Sequence, residues 1–69
     1  MVALIPPFPT NSREIIRRAR AEGWELVRIE GSHHHFKKPG TKEILTVPHP
    51  KKDIPIGTAR RIAKIAGWV

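Results

Sequence analysis

The chain is 69 residues long, carries thirteen Lys plus Arg against six Asp plus Glu for a formal charge of +7, and has no cysteine. A domain of this size buries only about 60% of the surface its unfolded chain exposes; the missing thiols exclude a disulfide framework and a thiolate metal site, and no apolar run nears the roughly 20 residues that span a bilayer. A basic domain this small, without a membrane-type amphipathic helix, most often meets phosphate, and nucleic acid is its commonest source.

The first ten residues, MVALIPPFPT, hold three prolines. Proline removes backbone donors and fixes φ, so residues 1–10 read as an irregular arm ahead of one domain over 11–69. The arm lacks the basic flank and unbroken apolar core of a signal peptide, and the chain reads as cytoplasmic. A helix follows over SREIIRRARAE, with Asn11 as its cap, Glu14 at the positive end of the dipole and Gly23 closing the last turn. Ile15, Ile16 and Ala19 form its apolar stripe, and Arg13, Arg17, Arg18 and Arg20 lie mostly off it.

WELVRIE, bounded by glycine on both sides, reads as a strand. Gly31 and Ser32 turn it back into HHHFKK. Lys38-Pro39-Gly40-Thr41 then has Pro second and Gly third, as a type II turn requires, before a third strand in EILTV. PHPKKDIP is a proline-punctuated loop. In GTARRIAKIAG, Ala59, Ile62, Ala63 and Ala66 recur at helical spacing before Gly67. The expected fold class is α+β, in the order α-β-β-β-α, with a three-stranded antiparallel meander and two helices packed on one face.

GSHHHF, 31–36, holds three of the four histidines. Histidine takes and gives a proton near neutral pH, its unperturbed pKa being about 6.5. Alternation along a strand sets His33 and His35 on one face and His34 with Phe36 on the other. If Phe36 packs under the helices, His34 goes inward and His33 and His35 stay outside. A metal site would start from His33 and His35, but cysteine is absent, no carboxylate is obvious nearby, and structural zinc takes four N or S ligands. Acid-base cleavage of a phosphodiester uses the histidines together with the basic segment around them: from Gly31 to Lys52 five lysines face one acid, Glu43. In that chemistry a histidine takes the proton of an attacking 2′-hydroxyl while lysines stabilise the charge on the phosphoryl oxygens.

The run from Asn11 to Gly40 and the run TVPHPKKDIPIGTARRIAKIAG together resemble the HicA family, the small toxins of type II toxin-antitoxin systems, over residues 11–67. The shared features are the G-W before the first strand, the G-S-H-H-x-F element, the V-P-H-P loop and the G-T-x-R-x-I helix, in that order. The resemblance implies a double-stranded-RNA-binding-like fold, a ribonuclease acting on mRNA without a metal or small-molecule cofactor, and a HicB-type antitoxin protein that covers the active site. The first histidine of G-S-H is the family's catalytic one, which here is His33; His34 and His35 inherit no catalytic role and His49 is left unassigned. Gly31, Ser32, His35, Lys37, Lys38, Lys51 and Lys52 are expected to hold the RNA, and helix one with its arginines is a candidate for antitoxin contact. The alternative is a non-catalytic RNA-binding or antitoxin-binding module of the same fold.

Overall fold

The computed structural model describes residues 7–69, arranged as α1 (Ser12–Ala21), β1 (Glu25–Glu30), β2 (His33–Lys37), β3 (Ile44–Pro48) and α2 (Ile56–Ala66). The element order and the three-stranded antiparallel sheet agree with the sequence reading, and β2 is the central strand.

Local chemistry sets the element ends. Asn11 Oδ1 accepts from the N–H groups of Arg13 and Glu14 at 2.9 and 3.4 Å, satisfying two donors that a helix start leaves without partners. Glu22, read as the last helical residue, is the C-cap, and Gly23 follows at φ +100°. Gly31 at φ +59° is the first of two residues joining Glu30 to His33, the position where a II′ turn needs glycine. Gly40 at φ +87°, with Thr41 N–H bonded to the Lys38 carbonyl at 3.1 Å, makes the type II turn.

Both helices pack against β3. Phe36, Leu45 and Val47 point under them and meet Ile15, Ala19, Ala59, Ile62 and Ala63 in the core. Trp24, expected at the head of β1, precedes that strand and is buried in the same core. Of the arm, residues 1–6, with Leu4 and Ile5, lie outside the described residues. Phe8 is only 8% exposed and joins the core, and the Thr10 carbonyl accepts from Ile54 N–H at 2.8 Å.

β1 is exposed along its whole length. The register shifts between Leu26 and Arg28, so Val27 is an extra residue: Leu26 pairs with Phe36, but Ile29, not Arg28, pairs with His34. A bulge of this kind keeps two apolar residues on the helix side of a strand whose simple alternation would have split them. No described helix is long and apolar enough to cross a membrane.

Candidate functional site

The three adjacent histidines occupy three different environments. His33 is the first residue of β2, directly after the Gly31-Ser32 turn, and is exposed. Its ring enters no hydrogen bond or ion pair among the described residues, so both nitrogens are open to a reacting group. His34 lies on the face of Phe36, half-buried, edge-on to the His49 ring with centroids 5.0 Å apart. Its Nδ1 is buried without a partner.

His35 shares the open face with His33 but is held at both nitrogens. Nε2 lies 3.0 Å from Glu30 Oε1 and Nδ1 lies 2.8 Å from Thr46 Oγ1. The guanidinium of Arg28, its Nη2 2.8 Å from Glu30 Oε2, holds the Glu30 carboxyl below the usual carboxylate range, and the His35 hydrogen bond adds to this. A carboxylate only accepts, so Nε2 carries the hydrogen, and in the neutral ring Nδ1 then accepts from the Thr46 hydroxyl. Both ring nitrogens of His35 are thus engaged within the fold, whereas those of His33 have no partner among the described residues.

The fourth histidine, His49, to which the sequence assigns no role, has a defined place in the structure. His49 N–H donates to the Ser32 carbonyl at 2.7 Å, which ties the loop after β3 to the turn before His33. Its Nδ1 lies 2.7 Å from Ser12 Oγ, and the same hydroxyl oxygen accepts from Lys51 N–H at 2.8 Å. Ser12 is almost fully buried, so the first residue of α1 anchors the loop that carries Lys51 and Lys52. The sequence reading missed Ser12, because its partners lie 37 and 39 positions away.

The lysines named from sequence do not converge on one point. Lys51 and Lys52 line an open cleft of about 450 Å³ with Asn11, Ser12, Arg13 and His49, at the end of the sheet where His33 pairs with Pro48. Lys37 and Lys38 lie at the other end of β2, where they border a cleft of about 220 Å³ beside the Pro39-Gly40 turn. Four residue steps separate His33 from Lys37, about 13 Å of strand. Cationic groups at both ends of one strand suit an extended polyanion. Ser32 contributes its carbonyl to the fold, and Gly31 contributes the positive φ that starts the strand at His33.

His33 also borders a third cleft, of about 340 Å³, where the edge strand β3 meets α2. Ile44, Thr46, Thr58, Arg61 and Ile65 form much of its lining. Thr46 could have been placed from sequence, since Leu45 and Val47 point inward and alternation sends it out beside His35. Arg61 and Thr58 carried no such signal, because the rotation of α2 against the sheet is decided by packing. Among the described residues no three His, Asp or Glu side chains come together as a metal ion would need.

The family model described as the HicA toxin of bacterial toxin-antitoxin systems matches residues 12–68 of the chain. No curated protein matches it.

Proposed function

The chain belongs to the HicA toxin family of bacterial toxin-antitoxin systems, and from that premise we propose that it is a metal-independent endoribonuclease of the cytoplasm that cleaves mRNA, with His33 as general acid/base, and is neutralised by a HicB-type antitoxin. The observation that carries this reading is the His33 ring: exposed, without a hydrogen bond among the described residues, at the sheet end where the Lys51-Lys52 loop is tied down.

The reaction is a transesterification. His33 takes the proton of a ribose 2′-hydroxyl, the oxygen attacks the adjacent phosphorus, and the bond to the 5′-oxygen of the next nucleotide breaks. That oxygen leaves with the proton that His33 gives back, and the other product ends in a 2′,3′-cyclic phosphate. Lys51 and Lys52 supply positive charge where the phosphoryl oxygens gain negative charge, and Lys37 and Lys38 hold the backbone further along. Gly31 and Ser32 place the reacting histidine, and His35 walls the site. The arginines of α1, Arg13, Arg17, Arg18 and Arg20, are all exposed and fit an acidic antitoxin.

The test is RNA cleavage by the purified chain beside His33→Ala, with and without excess EDTA. The substitution should lower the rate by about 10² to 10⁴ and leave the melting curve unchanged, since an exposed strand histidine contributes little packing. EDTA should have no effect. Cleavage at the parental rate by His33→Ala would remove the assignment, and RNA binding without any cleavage would leave the non-catalytic module.

A further inference from the structure

The cleft that His33 shares with α2 differs in kind from the one beside Lys51, and we propose that it is a nucleobase subsite, the place where the base next to the reacting phosphate is held and read. The inference rests on the ribonuclease reading and deepens it by naming what would give that site its sequence preference.

The cleft has the chemistry of a base pocket. Its volume of about 340 Å³ lies at the small end of ligand sites, which run to about 300–1,000 Å³ with apolar walls and a few placed polar groups. Ile44 and Ile65 supply aliphatic walls, and Ile44 is 44% exposed on the solvent side of the sheet, the side of Thr46 and of its strand partner Lys37. An uncovered isoleucine on the wall of the cleft that His33 borders is a surface for a flat apolar group. Hydroxyls supply the edge contacts: Thr46 is engaged by His35 through one of its hydrogen-bonding positions, and Thr58 has no side-chain partner among the described residues.

Arg61 completes the argument. It is exposed, and among the described residues it makes no ion pair, whereas Arg17, Arg18 and Arg28 each pair with a glutamate. Single-stranded RNA is recognised by splaying bases out and stacking them on aromatic rings or guanidinium planes, with hydrogen bonds to the base edges. The cleft has no aromatic residue except His33 in its lining, so the guanidinium of Arg61 is the group that covers the base. The cleft at Lys51 and Lys52 then positions the backbone without reading it, and the cleft at Arg61 reads.

The experiment is a titration of the full chain, ¹³C-labelled at the isoleucine methyls, with each of the four nucleoside 5′-monophosphates and with ribose 5-phosphate. The Ile44 and Ile65 methyls should shift upfield and saturate with at least one nucleotide, from the ring current of the base. Ile16 should stay still, and ribose 5-phosphate should move none of the three. Arg61→Lys keeps the charge but loses the plane, and it should weaken nucleotide binding about tenfold; Thr58→Val should change the order of preference among the four. Both positions are exposed, so both variants should fold. Equal shifts with ribose 5-phosphate, no shift at Ile44 and Ile65, or unchanged affinity in Arg61→Lys would overturn the subsite. Binding is read on the intact chain whether or not it cuts RNA, so cleavage with silent Ile44 and Ile65 methyls removes the subsite alone, and base binding without cleavage removes the ribonuclease reading alone.

Discussion

Replacing Ser12 with alanine should loosen the basic loop without unfolding the domain. The hydroxyl is almost fully buried, accepts from Lys51 N–H at 2.8 Å and lies 2.7 Å from His49 Nδ1. Removing one partner from a buried hydrogen-bonded group costs about 1–3 kcal/mol, and a value near 2 kcal/mol is expected with two partners released and part of the loop open to water. A chain of this length has a total stability of about 3–10 kcal/mol. At about 4–8 °C per kcal/mol for small domains, the melting temperature should fall by roughly 8–16 °C. The chain should still fold, because the backbone bonds from Ser12 N–H to the Lys51 carbonyl at 2.9 Å and from His49 N–H to the Ser32 carbonyl at 2.7 Å remain. Thermal melting by circular dichroism gives the first readout. Amide exchange at Lys51 gives the second, and Asn11→Ala is the control: it removes the helix cap, at about 1 kcal/mol, without freeing the Lys51 amide. Lys51 exchange should accelerate in Ser12→Ala beyond the global loss of stability and follow it in Asn11→Ala. A Ser12→Ala chain that melts within about 2 °C of the parent and protects Lys51 equally would refute the reasoning.

Two further outcomes can be measured directly. In the His33→Ala background, where RNA survives, Lys51→Ala with Lys52→Ala should weaken binding similarly across sequences and flatten the salt slope by roughly 1.4, at about 0.7 per phosphate contact; an unchanged slope would assign the loop to a protein partner. The Glu22 carboxyl accepts from the Trp68 indole N–H at 2.7 Å, which, with Arg18 beside it, holds it below the usual carboxylate range. A depressed folded pKa means that this contribution to stability is present above the unfolded value, about 4.3, and is lost as pH falls through the folded one. The Trp68 indole resonance should therefore titrate with a midpoint below about 4.3, and a midpoint at or above that value would contradict the contact.

What could be read from sequence and what could not divides by distance along the chain. The Asn11 cap, the Gly40 turn and the closing Gly67 are local devices, each decided within four residues, and each is where the sequence puts it. The split of His33 from His34 followed from a period of two. The same period failed at Val27, where the bulge rotates the rest of β1 to keep Ile29 beside His34. The hydroxyl of Ser12, the clamp on His35 and the approach of Arg61 to His33 needed the packed chain, because each joins elements whose relative placement depends on the whole core. Nothing in G-S-H-H-H-F distinguishes a ring tied at both nitrogens from a free one; that difference comes from Glu30 and Thr46 on the neighbouring strands.

The described residues form one small core beneath the sheet and leave its other face open. On the ribonuclease reading proposed above, the groups that act on RNA stand on that open surface: a histidine at a strand end, a tethered basic loop, and a shallow cleft against α2. Among the described residues nothing covers this face as a lid would. In the reading proposed for this chain, control has to come from a cover bound over the open face, and the features that suit RNA suit that cover too, since an acidic protein meets the same lysines and arginines as a phosphate backbone does. Antitoxin and substrate then compete for one surface, so that inhibition requires no change of shape in the toxin.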